Sequence, residues 1–416
     1  MISTIGHTLS HFHIVVAWLI FLASYLVFAI GHLPGTKIDR PAMAVIGAVC
    51  MFVFGVLTPK TAIESIDFGT LVLLFSMMLI AASLHLSGFF EVVGHLVIEH
   101  LSPRQLLPGV VFTSGILSAF LVNDVVCLVM APLVLRICKR MGVRPLPYLL
   151  ALATASNIGS TATITGNPQN ILIGSVSGIA YRDFLAHLGP VAFVGLLVDW
   201  ALLYWIFLRH EAEGAPSLEN SPERVREPQV HFAWALVVTL CVLVGFLLGY
   251  PPPLVAAAGG ALLLVQRQRS PKATYSDVDW SLLMLFLGLF LILGGAERVG
   301  ITQELLGVAE RLNLHRPVIF VAVVTLLSNM VSNVPAVMLL KGLPPQFHDP
   351  HTAWLLLAMA GTLAGNLTIT GSVANIIVVE KARTEAHISF FEYMKIGVPV
   401  TLITLAIGTV WLMLNN

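Results

Sequence analysis

Residues 163–171 read T-I-T-G-N-P-Q-N-I, and residues 368–376 read T-I-T-G-S-V-A-N-I. Both segments follow the pattern T-I-T-G-x-x-x-N-I, and both lie within strongly apolar sequence. Polar, helix-breaking residues are costly in a hydrocarbon layer, because each backbone amide that they release must find another partner. The same costly break in both halves of a chain is typical of a membrane transporter with a binding site between two repeats.

The composition places most of this chain in lipid. It has 416 residues, of which 57% are hydrophobic and 11% are charged, whereas soluble domains carry about 25% charged residues. The formal net charge is zero, so no basic patch indicates a nucleic acid partner. Many apolar segments approach the roughly 20 residues that span a bilayer. We therefore expect an all-α integral membrane protein that crosses the cytoplasmic (inner) membrane of a bacterium or archaeon several times.

The two halves of the sequence match in order at several places, which predicts an old internal duplication. Asp67 corresponds to Asp279 at an offset of 212, Asn123 to Asn333 at 210, and the two T-I-T-G segments correspond at 205. We predict a first repeat at 1–208, a polar cytoplasmic linker at 209–231 and a second repeat at 232–416. Each repeat is expected to hold a re-entrant hairpin (106–137, 318–340) and a broken helix (146–174, 354–379).

The distribution of basic residues predicts how the chain is oriented. If each hairpin enters and leaves on one side, the chain crosses the membrane five times per repeat, and an odd number inverts the second repeat relative to the first. With both termini outside, sixteen of the 22 Lys and Arg residues lie in inner loops. That excess satisfies the positive-inside rule.

The predicted binding groups are neutral. Unwound backbone at mid-membrane exposes carbonyls and amides, glycine permits close approach of a ligand, and hydroxyl and amide side chains add donors and acceptors. Each of these side chains could instead bridge packed helices, but their occurrence in both breaks favours a site. The candidate solute-binding residues are Asn123, Asn157, Thr163, Thr165, Gly166, Asn167, Asn170, Ser332, Asn333, Asn366, Thr368, Thr370, Gly371, Ser372 and Asn375.

Asp124 is the one acidic residue of the apolar block 106–135. Carboxylates inside membranes are expensive and usually mark ion or proton pathways. Asp124 is therefore the candidate ion-coupling residue, carrying a proton or helping to hold a sodium ion; the alternative is a cap on the hairpin tip. Val334 takes its place in the second repeat. Asp67 and Asp279 precede spans and are expected to cap them. No metal ligand set and no other cofactor is predicted.

These motifs resemble those of the ion transporter superfamily over nearly the whole chain. Asn123-Asp124, followed by an apolar run to Pro132, resembles the hairpin of ArsB arsenite-efflux permeases and NhaD-type sodium/proton antiporters. The segment 166–170 is similar to a phrase of ArsB-like and bacterial anion permeases. The resemblance implies a scaffold domain and a transport domain that moves as an elevator, often within a homodimer. Neither hairpin tip has the Ser-Asn-Thr of the sodium-coupled dicarboxylate branch.

The sequence therefore favours a secondary transporter that exports arsenite or antimonite in exchange for protons. Transport of small carboxylates or inorganic oxyanions, coupled to sodium or protons, is the alternative, followed by sodium/proton antiport. A channel-like or structural membrane protein would lack the paired breaks. An enzyme is not expected, because the chain has no His-Glu-x-x-His, no Gly-x-Ser-x-Gly and no paired catalytic acids.

Overall fold

The computed structural model describes residues 11–209, 232–265, 270–383 and 385–415. The described residues form helices joined by turns, together with one isolated bridge between His32 and Asp39. The helices of the first half are α1 His11–Ile30, α2 Arg40–Val53, α3 Pro59–Ser65, α4 Phe68–Leu86, α5 Phe89–His100, α6 Pro103–Phe120, α7 Asn123–Met141, α8 Leu146–Ser160, α9 Pro168–Ser177 and α10 Tyr181–Leu203. A π-helical turn, Tyr204–Leu208, extends α10.

The second half presents the same succession of elements. Its helices are α11 Phe232–Leu247, α12 Pro252–Leu264, α13 Pro271–Ser276, α14 Trp280–Arg298, α15 Ile301–Arg311, α16 Pro317–Val331, α17 Asn333–Leu340, α18 Pro350–Leu363, α19 Val373–Ala382 and α20 Phe390–Leu414. The protein is all-α, as expected. The predicted linker at 209–231 lies outside the described residues apart from Arg209.

Five helices of the described chain are long and apolar enough to cross a membrane: α1, α4, α10 with its π-turn, α14 and α20. Helices α2, α11, α12 and α16 are apolar but shorter. The long helices keep large apolar side chains on their outer faces, such as Leu19 on α1, Phe193 on α10 and Leu402 on α20, each more than half exposed. A soluble protein rarely leaves so much apolar surface uncovered, whereas a bilayer covers it.

Both predicted hairpins and both predicted helix breaks are present. Helices α6 and α7 meet at Leu121-Val122, and α16 and α17 meet at Ser332. Helices α8 and α9 are separated by residues 161–167, and α18 and α19 by residues 364–372. The inverted orientation of the two repeats and the domain boundaries stay predictions.

Small residues allow the first hairpin to approach the first broken helix closely. A Cβ atom on Gly159 would lie 2.0 Å from the backbone oxygen of Gly115, so α6 and α8 are in direct backbone contact there. Close approach at small residues is the usual way in which membrane helices associate. This contact holds α8 against the first hairpin at Gly159, which is two residues after Asn157.

Two short helices, α3 and α13, were not predicted. They occupy equivalent positions before α4 and α14, and each begins with a capping hydroxyl followed by proline, at Thr58-Pro59 and Ser270-Pro271. They are too short to give an apolar span in the sequence, but the hydroxyl residue followed by proline could have predicted the start of each helix. The predicted caps Asp67 and Asp279 are confirmed by side-chain bonds to backbone amides three residues on, at 2.9 and 3.0 Å.

Candidate solute site at the crossing of two broken helices

We call the first break the first seam (residues 157–170). Its own glycine, asparagine and proline residues interrupt the helix. Gly166 lies so close to the preceding turn that a Cβ atom would be 2.2 Å from the Ser160 carbonyl oxygen. Asn167 caps α9 by accepting a bond from the Asn170 amide at 2.9 Å, and Pro168 occupies the first helical position. Proline fits there because its missing N–H would have no helical partner. The helix therefore restarts at Pro168 on a new axis.

The second seam (residues 362–375) is broken in the same manner with different residues. Helix α18 gives way to two short 3-10 turns, Ala364–Asn366 and Ile369–Gly371. Ser372 then caps α19 by accepting a bond from the Ala374 amide at 3.2 Å. A serine hydroxyl thus replaces the asparagine and proline that restart the helix in the first seam.

Asn170 and Asn375, the last residues of the two seams, donate hydrogen bonds to backbone carbonyls that lose their helical partners at each break. Asn170 Nδ2 donates at 3.1 Å to the carbonyl oxygens ten and seven residues before it. Asn375 Nδ2 makes the same pair of bonds, at 2.7 and 3.1 Å, to carbonyls ten and seven residues earlier. The repeated sequence pattern therefore encodes a repeated local structure.

Asn157, at the start of the first seam, joins the two seams. Its Oδ1 accepts bonds from Asn123 Nδ2 and Ser372 Oγ, both at 3.0 Å. Its Nδ2 donates at 2.9 Å to Asn366 Oδ1 and to Asn375 Oδ1. All five side chains are buried. The first hairpin and both broken helices therefore meet at one amide.

The contacts between the seams are reciprocal. Thr362 stands 205 residues after Asn157, which is the offset of the repeated phrase. Its hydroxyl accepts from Asn167 Nδ2 at 3.1 Å and donates to Asn170 Oδ1 at 3.3 Å. Asn167 and Asn170 are the first-seam equivalents of Ser372 and Asn375, which Asn157 contacts. Reciprocal pairing of this kind is the signature of a two-fold arrangement.

Each hairpin tip rests on the seam of its own half. The Asn123 backbone amide donates to the Gly166 carbonyl at 2.9 Å. The Asn333 amide nitrogen, in the orientation that satisfies its surroundings, is 3.2 Å from the carbonyl oxygens of Gly361 and Gly371. Ser332, before it, has φ 77° and ψ 157°, a region that essentially only glycine visits. The second tip is therefore strained at its turning residue.

Three polar atoms on the hairpins have no hydrogen-bond partner within the described part of the chain: Ser118 Oγ, Ser328 Oγ and Asn123 Oδ1. Ser118 and Ser328 are equivalent residues of the two hairpins, at an offset of 210. A buried polar group without a partner costs about 1–3 kcal/mol. A small hydroxylated solute that satisfied these atoms would recover that free energy.

Not every predicted residue faces the crossing. Thr163 bonds the Ala119 carbonyl of the first hairpin, and Thr165 bonds the Tyr181 hydroxyl at 2.9 Å. Thr368 donates to Asn329 Oδ1 at 3.1 Å, and Thr370 is exposed. Thr163, Thr165 and Thr368 hold the seams against neighbouring helices, which is the bridging role that the sequence left open for them, whereas Thr370 bonds only Thr368 of its own seam. Asn329, which was not predicted, also donates to the Ala364 carbonyl at 2.8 Å.

Asp124 lies in the first turn of α7 and is partly buried. Its carboxylate lies near the backbone amide of Ala374, in the first turn of α19. It does not cap its own helix, since no side chain bonds the start of α7. Asp124 therefore lies where the first hairpin packs on the second broken helix, beside the crossing.

Asp199, which the sequence left unassigned, is a second acid near the crossing. It lies on α10, is fully buried, and its Oδ2 is 3.0 Å from Thr154 Oγ1. That hydroxyl also lies 2.9 Å from the Leu150 carbonyl, yet it carries a single hydrogen. Thr154 therefore donates to the Asp199 carboxyl group in competition with the Leu150 carbonyl. The Thr154 carbonyl in turn accepts from Asn366 Nδ2 at 3.2 Å, so this acid is connected to the second seam.

The crossing is electrically neutral apart from these acids. Neither seam contains an Arg, Lys, Asp or Glu. Helices α9 and α19 both begin at the crossing, and the start of a helix presents free amides and a partial positive charge. The site thus offers amides, hydroxyls and helix ends, which suit a small polar solute.

Comparison with known proteins agrees with this architecture. The profile of the CitMHS family, described as citrate transporter, matches residues 25–360. A 46 kDa membrane protein of Mycobacterium leprae is 31% identical, covering 96% of this chain and 98% of the relative. The putative transporter arsB of Dictyostelium discoideum is 26% identical (94% and 89%), and the silicon efflux transporter LSI3 of rice is 29% identical (90% and 92%).

Solved structures show the same fold at low sequence identity. MtrF of Neisseria gonorrhoeae superimposes with a TM-score of 0.62 over 99% of this chain and 96% of its own, at 12% identity. The likeness concerns the fold alone. Together with the apolar helices and the relatives above, it makes this chain a multi-pass membrane transporter. The protein therefore belongs to the CitMHS citrate transporter family within the ion transporter superfamily, and is related to ArsB-like permeases.

Proposed function

We propose that this protein exports a small, uncharged oxyacid, with arsenite or antimonite as the cargo, in exchange for protons. The observation that carries the proposal is the crossing itself, where two neutral seams and two hairpin tips present amides and hydroxyls. Arsenous acid is neutral at physiological pH and bears only hydroxyl groups. It would satisfy such donors and acceptors without a clamping arginine.

Two relatives support this class of cargo. One is named a putative arsB transporter and another a silicon efflux transporter. Silicic acid, like arsenous acid, is a small neutral molecule covered with hydroxyl groups. The unpartnered Ser118, Ser328 and Asn123 oxygens are suitable partners for either solute.

Asp124 is the group to which we assign proton coupling. Its carboxylate lies beside the first turn of α19, so gaining or losing a proton would change how the first hairpin packs on the second broken helix. Intramembrane carboxylates commonly carry protons in this way. Asp199 is the second candidate, because it is a fully buried acid that accepts one bond from Thr154 and has a second oxygen without a partner among the described residues.

An elevator-type movement is the mechanism that we propose. The bonds at Asn157 and Thr362 tie both seams together, and each hairpin tip is bonded to its own seam. These elements are therefore suited to move as one body that carries the solute. Helices outside this body would then form the scaffold.

The test uses everted membrane vesicles with an imposed proton gradient. We expect them to accumulate arsenite or antimonite, to do so less when Asp124→Asn is introduced, and to lose part of the pH dependence of uptake. Asp277→Asn, a change at an exposed acid that pairs with His85, serves as the control and should behave like the unaltered protein. Absence of accumulation would end the arsenite assignment, and an unchanged pH profile would remove Asp124 from coupling.

Transport of small carboxylates or inorganic oxyanions is the second candidate, and the description of the matched family favours it. The starts of α9 and α19 could bind an anion without a basic side chain. Thermal stabilisation of the purified protein distinguishes these cases. Stabilisation by citrate that depends on sodium would favour this candidate, stabilisation by sodium alone would favour sodium/proton antiport, and stabilisation by arsenite without sodium supports the first proposal.

A further inference from the structure

A cluster of three potential metal ligands lies far from the crossing. Asp183 and His187 stand one turn apart near the start of α10, and His351 lies in the first turn of α18. The end of α20 closes the group, because Trp411 Nε1 donates to the His187 carbonyl at 3.0 Å. The predicted orientation places all three helix ends on the outer face of the membrane.

The possible ligand atoms already lie near the separation that two ligands of one metal ion have. His351 Nε2 is 2.7 Å from Asp183 Oδ2, and His187 Nδ1 is 3.3 Å from Asp183 Oδ1. All three ligand atoms lie within 4.8 Å of one another. A tetrahedral zinc ion with bonds near 2.0–2.1 Å separates its ligands by about 3.4 Å. His187 Nδ1 also lies 2.9 Å from the Asp183 backbone carbonyl oxygen. Binding an ion therefore requires that contact to open and the Asp183 and His351 side chains to separate by less than about 1 Å.

Two imidazoles and one carboxylate select a particular class of metal. Nitrogen-rich sets favour zinc and its transition-metal neighbours, whereas magnesium and calcium prefer oxygen ligands alone. The side chains are 21%, 37% and 40% exposed for His187, His351 and Asp183. Ions can therefore enter directly from water, and a fourth position is left for a water molecule.

We propose that Asp183, His187 and His351 form an exchangeable binding site for divalent zinc-class ions on the outer face. The site joins the two halves of the protein, since α10 belongs to the first half and α18 to the second. Helix α18 also carries Thr362, which contacts the first seam. A bound ion would thus fix α18 against α10 at the end opposite the crossing. This inference does not depend on the cargo proposed above.

Cobalt(II) absorption provides the direct test, because cobalt in a four-coordinate nitrogen and oxygen site absorbs visible light strongly. Purified tag-free protein is titrated with cobalt, and zinc is then added to displace it. We expect one equivalent of cobalt to develop visible bands that zinc removes. His187→Ala and His351→Ala should each weaken cobalt binding by at least about 100-fold, since loss of even an outer-shell partner costs 10- to 100-fold. Binding should also weaken as the pH falls, because imidazole ligates metals only when neutral.

The controls separate this site from other histidines. His85→Ala removes a histidine that pairs with a single carboxylate, Asp277, at 2.9 Å, and should leave cobalt binding unchanged. Replacing the N-terminal His7, His11 and His13 by alanine should also have no effect. If His351→Ala does not fold, His351→Cys keeps a ligand and should retain cobalt with a new sulfur-to-metal band. Bands that are absent from the unaltered protein, or that persist in a His187→Ala/His351→Ala variant, would overturn the proposal.

Discussion

Replacing Asn157 by alanine is the most informative perturbation of the crossing. The change removes four buried hydrogen bonds of 2.9–3.0 Å at once. It leaves the side-chain oxygens of Asn366 and Asn375 without a hydrogen-bond donor among the described residues. Asn123 loses the bond that its Nδ2 donates, whereas Ser372 keeps the bond from Ala374. The substitution therefore removes the contacts that Asn157 makes between the seams, leaves those of Thr362 in place, and does not alter either seam's own turn.

The expected magnitude follows from this count. Buried side-chain bonds between membrane helices contribute about 0.6 kcal/mol each on average, which gives about 2.4 kcal/mol for four. Orphaned polar groups can raise the cost, so we expect the free energy of unfolding to fall by about 2–4 kcal/mol. Asn157→Asp keeps the acceptor but places a buried carboxyl oxygen against the side-chain oxygens of Asn366 and Asn375, so it should cost at least as much as Asn157→Ala.

Equilibrium unfolding in mixed detergent micelles measures this loss, with tryptophan fluorescence reporting the unfolded fraction. Thr370→Ala is the matched control, because Thr370 belongs to the second seam but is exposed and bonds only Thr368, at 3.4 Å. It should change stability by less than about 0.5 kcal/mol. If Asn157→Ala costs no more than this control, the two seams are not held together at Asn157 and the reasoning fails.

Three further substitutions test neighbouring features. Gly159→Ala places a Cβ atom 2.0 Å from a backbone oxygen of α6 and should destabilise the protein by about 1–3 kcal/mol or more, whereas Gly307→Ala enters open space on α15 and should be neutral or stabilising in the same unfolding assay. Ser332→Gly should stabilise the protein by about 1–3 kcal/mol, because glycine relieves the strained conformation of the hairpin tip; a loss of stability would contradict this. The Thr352 hydroxyl, followed by the backbone amides of α18, holds the pKa of Asp349 below its usual range. The ionised cap therefore adds stability above about pH 4, the unfolded value, and that stability is lost as the pH falls through the folded pKa. Thr352→Ala should reduce this acid-induced loss in a pH titration of the melting temperature, and an unchanged titration would refute the assignment.

The breaks were predictable from sequence because their causes are local. Gly166 and Pro168 cannot continue a helix easily, and Asn170 supplies the amide that serves the freed carbonyls. The same local chemistry in the second half made the prediction of paired broken helices possible. Both hairpins could be placed because Asn123 and Asn333 interrupt otherwise apolar blocks.

The partnerships across the crossing could not be predicted. Asn157 bonds Asn366 and Asn375 across 209 and 218 residues of sequence, and nothing in either segment specifies the other. The same limit explains why the His351 and Asp183 pairing was missed, since 168 residues separate them. Thr163 and Thr165 were assigned to the solute because hydroxyls suit both binding and bracing, and sequence alone does not distinguish these roles.

The reciprocal crossing is not chemically symmetric, and that asymmetry has a consequence. If the two halves were identical, exchanging their conformations would return a molecule of equal free energy. Asn157 corresponds to Thr362 in the other half, and Asp124 corresponds to Val334. Under the proposed alternating-access mechanism the two exchanged arrangements would therefore differ in free energy, and the empty protein would have a preferred resting state. That preference would set the side of the membrane to which the protein opens first.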